Sequence, residues 1–352
     1  MANQNIRTPR FYTDLINYHR ARGSAIGSVT ATNASNGFVG LPTSNNVGDL
    51  LDLRPLNQVT FDTSADTDGH VLFNFSFTTS SYKQTYVAIL NHNLNSCDGR
   101  FKVFAGNVAS DISALDGANA ETGDINWSSV SATEIVNADT IAASDSNKTV
   151  TVTPASDGST ILTFNETNLR YWAIQFEGDT AWDSSTDFKL GGVMIGEHFD
   201  MPQSPDLQLT RRIHYDKVDI QESLGGQRFA NATSFGRTAS STSKSPFSLG
   251  TYEQTTYGGR IIYDMNFSFL QASDLLPNET TVYQFANDSV ISDAWNLTDG
   301  PHRPFIFSID NTSTGSNAES EHMFARFNQD SLDMQQVAPD VYNISLSIAE
   351  EF

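Results

Sequence analysis

The sequence predicts a mainly β protein: two β-sandwich-type domains joined by a short proline-containing connector, with an extended N-terminal arm. Three observations carry this. Short apolar runs separated by Gly, Asn, Asp and Ser recur from residue 50 onward, and few segments have the length and 3.6-residue period of a helix. The stretch Gly191 to Leu207 takes an apolar strand straight into Pro202 and Pro205, after which a new strand-rich block begins. A chain of 352 residues also exceeds the size at which one core usually keeps growing. The expected boundaries are an arm and loop over 1–48, a jelly-roll sandwich over 49–202, and a second β-rich domain with one helix over 203–352.

The arm carries Phe11, Tyr12, Leu15, Ile16 and Tyr18 on too few residues to bury them by itself. It also concentrates positive charge: Arg7, Arg10, Arg20 and Arg22 stand against Asp14 alone in the first thirty residues of a chain whose net charge is −21. Such a cluster fits either a solvated terminus or an arm that docks on the acidic surface of a neighbouring copy. The aromatics need a host surface, so Arg7, Arg10, Phe11, Tyr12, Tyr18, Arg20 and Arg22 are the candidate assembly residues. A short helix is expected from about Asp14 to Arg22, ended by Gly23. Residues 24–48, rich in Gly, Ser, Asn and Ala, read as loop.

In the first block, the run from Val71 to Thr78 alternates so that Phe75 and Phe77 point to a core, and Tyr86 to Leu90 is continuously apolar, as in a central sandwich strand. Further strands are expected at Phe101–Ala105, Thr149–Thr153, Thr160–Phe164, Tyr171–Glu177 and Lys189–Gly196, each bounded by turn residues. The acidic, Ala- and Ser-rich stretch Val108 to Ser146 reads as surface loops.

After Pro205, strands are expected at Leu207–Thr210 and Lys217–Gln221, and a loop from Arg228 to Ser248. Gly259 to Leu270 is the clearest strand, with Ile261, Tyr263, Met265, Phe267 and Phe269 on one core face by strict alternation. Ser273 is a plausible cap for a helix that Pro277 would cut short. Val282, Phe285, Ala286 and Val290 lie at helical spacing within Glu279 to Trp295. Strands at Arg303–Asp310, His322–Phe327 and Val341–Ile348 close the chain.

Chemistry finds few candidates. Seven scattered histidines, one Cys97 and no HExxH or paired cysteines give a transition-metal site little support. Asp62, Asp66 and Asp68 with Gly69 resemble a calcium loop in composition, but the ligand spacing is wrong and an acidic hairpin turn accounts for them. No nucleophile elbow, P-loop or dinucleotide fingerprint occurs, and the carboxylates are too dispersed to nominate a glycosidase pair. No catalytic residue, cofactor or metal is therefore predicted. Net charge argues against binding a phosphate backbone. No run of about 18 apolar residues could span a bilayer, and the opening residues contain no secretory h-region, so synthesis in a reducing cytoplasm is expected. His92, Trp127 and Trp182, in loop-like surroundings, are candidate glycan contacts.

Three segments carry a family resemblance. Tyr86 to Leu94, Leu169 to Phe176 and Leu190 to Pro202 resemble, in this order, structural proteins of tailed bacteriophages whose first domain looks like a discoidin or galactose-binding β-sandwich. Pro304 to Asn311, Phe324 to Phe327 and Val341 to Glu351 are similar to the end of the same kind of protein. The resemblance implies a virion component of the tail or baseplate, comparable to distal-tail adaptors, which assembles as a symmetric ring or adaptor with copies of itself and other virion proteins. A glycan-binding module for host attachment is the alternative, and a capsid or collar decoration protein the third reading.

Overall fold

The structure, a computed structural model, describes residues 7–21, 47–77, 82–109, 134–143, 149–214, 219–230, 247, 260–276, 290–315 and 318–351. The chain opens with strand β1 (Arg10–Asp14) and helix α1 (Leu15–Ala21), then a 3-10 turn at Val47–Leu51. The first block follows with β2 (Val59–Phe61), β3 (His70–Ser76), β4 (Gln84–His92), β5 (Gly99–Gly106), β6 (Glu134–Val136) and β7 (Ala138–Ala143). It ends with β8 (Val150–Pro154), β9 (Gly158–Thr167), β10 (Tyr171–Gly178), β11 (Phe188–Leu190) and β12 (Gly192–Asp200). The second block contains β13 (Thr210–His214), β14 (Ile220–Glu222), β15 (Arg228–Ala230), β16 (Arg260–Gln271), α2 (Ala272–Leu275) and α3 (Val290–Leu297). It closes with β17 (Phe305–Ser308), a 3-10 turn at Ala318–Glu321, β18 (His322–Phe327), β19 (Met334–Ala338) and β20 (Val341–Glu350).

The protein is mainly β, as predicted, and its sheets are antiparallel. A five-stranded sheet runs β3-β10-β5-β8-β7, and an eleven-stranded sheet runs β13-β16-β20-β18-β17-β1-β12-β4-β9-β6 with β19 added on β20. Where the small sheet stacks on the large one, the two inner faces form a sandwich: Phe73, Phe101, Val103 and Phe176 join Val87, Ile89, Leu162, Val193 and Ile195 in one core. Trp172 of β10 stacks on Phe164 of β9 across the layers, ring centroids 5.7 Å apart. Farther along the same face, α1, α2 and α3 replace the small sheet, bringing Leu15, Leu275, Ile291 and Leu297 against Phe305, Phe327 and Met265. The opposite face of the large sheet is also covered in its middle, where Tyr86, Ala88 and Leu90 meet Tyr12, Met194, Ile306, Phe247 and Phe324. Burial of both faces explains why β4 reads as an uninterrupted apolar run.

The predicted N-terminal arm is corrected by this topology. β1 is an interior strand, pairing with β12 on one side (Arg10↔Asp200 through Asp14↔Gly196) and with β17 on the other (Arg10↔Ser308 through Tyr12↔Ile306). All five of its residues are buried. The host surface its aromatics need is the chain's own, so residues on either side of the Met201–Pro205 connector share one sheet through β1. The connector is itself pinned: Met201 N–H donates to the carbonyl of Pro9 at 2.9 Å. Asp14 caps α1, its Oδ1 accepting the N–H of Ile16 at 2.9 Å.

Other expectations change in detail. The Val108 to Ser146 stretch, read as loop, contributes β6 to the large sheet and β7 to the small one, because Val136 and Ile141 pair with apolar positions on β9 and β8. Its residues 110–133 and 144–146 lie outside the described residues. Helix α2 begins after Gln271, whose N–H donates to Asp274 Oδ2 at 2.9 Å, and Ser273 sits inside it. The alternation from Ile261 holds through Tyr263, Met265 and Phe267, all buried. It then fails at a bulge between Phe267 and Leu270, which turns Phe269 outward.

Candidate assembly surface

The seam that follows β12 leads to the least covered part of the described residues. Asp206 anchors it: its N–H donates to the carbonyl of Asn266 at 2.8 Å, and its Oδ2 accepts the Ser268 hydroxyl at 2.7 Å. β13 then adds to β16 in register Thr210↔Asp264 through His214↔Arg260, as the end strand of the large sheet. All five of its residues are exposed, so neither face of this strand is covered. An end strand also presents a row of peptide groups on its outer edge, a ready template for a further strand.

β14 and β15 form a separate two-stranded ribbon, with Ile220↔Ala230, Gln221↔Phe229 and Glu222↔Arg228 as pairs. Its turn is locally well made. Ser223 N–H donates to Gln227 O and Gly226 N–H to Ser223 O, both at 2.8 Å, and Gly226 takes the left-handed φ of 80° that the turn requires. Yet Leu224 at the tip is fully exposed, and Ile220 and Phe229 are each more than half exposed. A two-stranded ribbon with none of the described residues packed on it is marginal in water. Apolar side chains concentrated on such a ribbon mark a contact surface. Of the nine large hydrophobic residues that stand exposed among the described residues, eight fall between Leu207 and Val337. Phe269 and Val337 belong to this set, on strands flanking β20.

Ion pairs on this surface are solvent-facing. Arg212 pairs with Asp264 and Arg228 with Glu222, both involving exposed partners, so they guide orientation more than they stabilise the fold. With Arg211 and Asp219 counted, three arginines stand against the carboxylates of Asp219, Glu222 and Asp264, so the ribbon and its base are balanced in charge.

The residues predicted for the assembly arm are placed elsewhere. Arg10 is buried and forks onto Asp200, Nε to Oδ1 at 2.5 Å and Nη2 to Oδ2 at 2.9 Å. Phe11 packs among Phe305, Phe307 and Phe327, with centroids 5.5 to 6.0 Å away. Tyr12 meets Tyr86 edge-on at 5.1 Å. Tyr18 lies under the Arg303 guanidinium at 5.0 Å, and Arg20 Nη1 donates to the carbonyl of Leu51 at 2.5 Å. Arg7 is exposed but tied to Thr312 at 3.0 Å. Arg22 lies outside the described residues. Arg10, Phe11, Tyr12 and Tyr18 are thus buried in the chain's own fold, while Arg7 and Arg20 are exposed and bond within the chain.

The glycan contacts are corrected in the same way. His92 is buried, with Nε2 2.9 Å from Thr160 Oγ1, and burial pushes its imidazole down to about 3. Trp182 is buried, its indole N–H donating to Gly69 O at 2.7 Å and its ring stacking on Phe188 at 5.4 Å. Neither presents a face to a sugar. Trp127 lies outside the described residues. Asp66 and Asp68 are exposed in a turn closed by Gly69 N–H to Asp66 O at 3.0 Å, and no group of three His, Cys, Asp or Glu placed to hold a metal ion occurs among the described residues.

The interior contains several titratable groups shifted by burial. Burial lowers His322 to about 4, and it lowers His198, whose Nδ1 lies 2.7 Å from Thr85 Oγ1 and whose neighbour Arg10 adds to the effect. Burial raises the Asp14 carboxyl to about 6 against the opposing hydrogen bonds from Asn17 and Ile16. These groups are enclosed by the sheet, so they act on stability. The expected strand at Lys217–Gln221 overlaps β14, but β15 falls where a loop is expected from Arg228, because the apolar residues of the ribbon are spaced singly among Arg, Asp and Gln. One local signal pointed to it: Leu224 stands immediately before Gly225-Gly226, where a hairpin turn ordinarily places a polar residue. Comparison with protein-family models, curated proteins and solved structures finds no match for this chain.

Proposed function

We propose that this chain is a structural component of a bacteriophage virion, in the tail or baseplate, which acts by contact and not by turnover. Copies stand side by side in a symmetric ring or adaptor, and the β13 edge with the β14–β15 ribbon reaches onto the neighbouring copy. The observation that carries this reading is the ribbon itself: every described side chain from Thr210 to Phe229 is exposed, and Ile213, Ile220, Leu224 and Phe229 are apolar. Burying those four against a neighbour would contribute about 1.5 to 3 kcal/mol each. The resemblance of the strand segments to tailed-phage structural proteins supplies the virion setting. Synthesis in the host cytoplasm and incorporation into the particle follow from it.

The test is a double substitution, Leu224→Asp with Phe229→Ser. The expected result is an unchanged melting temperature for the isolated chain, together with loss of oligomers in sedimentation velocity and loss of incorporation into particles. Oligomers and particles formed as by the unaltered chain would overturn the reading.

A further inference from the structure

An open cleft of about 640 Å³ lies where the two halves of the chain meet. One wall is the turn that contains Asp52, Arg54 and Asn57; the other is built by Arg303, Arg326 and Glu351. Three guanidinium groups line the cleft, of which Arg303 is paired with Asp299 and Arg326 with Glu351, so Arg54 is the one left for a ligand. A single available guanidinium in a concave site can select a ligand that carries one carboxylate.

The first wall is held in place before any ligand arrives. Asp52 Oδ1 accepts the N–H of Arg54 at 2.7 Å, and the N–H of Asn57 donates to Arg54 O at 2.8 Å. Leu53, between them, takes a left-handed φ of 61°, a conformation that costs a branched residue and persists only where the surroundings impose it. This turn leaves the Arg54 side chain exposed over the cleft, and its guanidinium has no partner among the described residues. The opposite wall is braced differently: Arg326 Nη1 donates to the carbonyl of His302, and Arg326 Nε lies 3.4 Å from Glu351 Oε2. Arg303 is nearly buried and pairs with Asp299.

We propose that the cleft binds an acidic sugar, a pyranose-sized polyol that carries a carboxylate. Arg54 takes the carboxylate, since a guanidinium presents two parallel donors that match its two oxygens. Asp52, Asn57 and Glu351 are the hydrogen-bonding groups suited to ring hydroxyls, and Leu53 and Leu56 supply apolar surface for a ring face. The volume suits a sugar unit or two, whereas a bare inorganic anion would leave most of it unfilled. The lining contains neither His92 nor Trp182, and the site stands whether or not the chain assembles.

The experiment titrates glucuronate, glucose and inorganic phosphate into the full chain, with binding read by ligand-observed NMR and calorimetry. Glucuronate is expected to bind with a Kd of roughly 1 mM, and glucose and phosphate each about tenfold more weakly or worse. Arg54→Ala should weaken glucuronate binding about tenfold, with Arg54→Lys between the two because it keeps the charge and loses the fork. The side chain is exposed and the turn is held through backbone groups, so both variants should melt with the unaltered chain. Three results would each overturn the proposal: no binding of glucuronate, phosphate binding as tightly as glucuronate, or unaltered affinity in both Arg54 variants.

Discussion

Arg10 and Asp200 are direct cross-strand partners on β1 and β12, joined by a forked ion pair of 2.5 and 2.9 Å. The pair lies 190 residues apart in sequence and fastens the start of the chain to the end of its first block. Asn311 Nδ2 donates to the same carboxylate at 3.2 Å, so a loop of the second block joins the fastening. Burial alone would raise the Asp200 carboxyl; the hydrogen bond and charge of Arg10 outweigh it and hold the group below the usual range.

Arg10→Ala should therefore cost about 3 kcal/mol, because it leaves a partly buried carboxylate without its main partner. Urea unfolding followed by circular dichroism measures this. A loss below about 1 kcal/mol would place the pair with ordinary surface ion pairs. Truncation of residues 1–21, by the same argument, should abolish cooperative folding, since it removes an interior strand and Phe11 from the core.

Two glycines of Gly191-Gly192-Val193-Met194-Ile195-Gly196 record close backbone approach, Gly196 by β1 and Gly191 by the turn that contains Pro55. A Cβ on Gly196 would lie 1.8 Å from the carbonyl oxygen of Thr13, and one on Gly191 2.0 Å from that of Pro55. At Gly196 the backbone cannot yield without loss of the β1–β12 ladder. Gly196→Ala is expected to destabilise by about 3 kcal/mol or more, in the range of severe core disruption. It should also expose β1, seen as faster amide exchange from Arg10 to Asp14.

Local periodicity exposed most of the sheet and little of its assembly order. Tyr86 to Leu90 and Tyr171 to Glu177 were legible as strands because burial writes itself into a five- to seven-residue window. β1 was not, since its aromatics look identical whether their host is a neighbour or residues 190 and 300 positions away in the same chain. His92 and Trp182 were misread for a related reason: polar surroundings in sequence do not reveal that Thr160 and Gly69 O satisfy them inside the fold. The apolar ribbon residues were legible only as single hydrophobes, and their common exposure needed the structure.

Stability should fall in acid, and the sign follows from the buried histidines. His92 and His322 titrate at about 3 and about 4 in the fold against 6.5 for the free side chain. The unfolded chain therefore binds more protons between pH 6.5 and 4, so the stabilisation present above pH 6.5 is lost as pH falls through that window. Asp14, raised to about 6 from 3.8, works the other way: the folded chain binds its proton first, so its contribution grows as pH falls from 6 to 4. Two histidines displaced by more than two units outweigh one aspartate displaced by about two, leaving a net loss of several kcal/mol between pH 7 and 4.5. His322→Gln should flatten this decline in urea melts, whereas Asp14→Asn should steepen it.

Phe269 tests whether the exposed apolar surface is kept for contact. Its φ of 63° is left-handed, which costs a residue with a Cβ about 1 to 2 kcal/mol, and its side chain is 75% exposed, so little burial offsets that cost. The bulge that creates this geometry is secured by Asn343 Oδ1, which accepts the Phe269 N–H at 3.1 Å. Phe269→Gly keeps that bond and relieves the backbone, while its greater freedom in the unfolded chain takes back about half the gain. The isolated chain should thus unfold about 0.5 to 1 kcal/mol later, and its oligomers should weaken because an aromatic contact is removed from their interface. A variant that is more stable alone and assembles as well as the unaltered chain would show that Phe269 lies outside the contact, and would confine the interface to β13 and the ribbon.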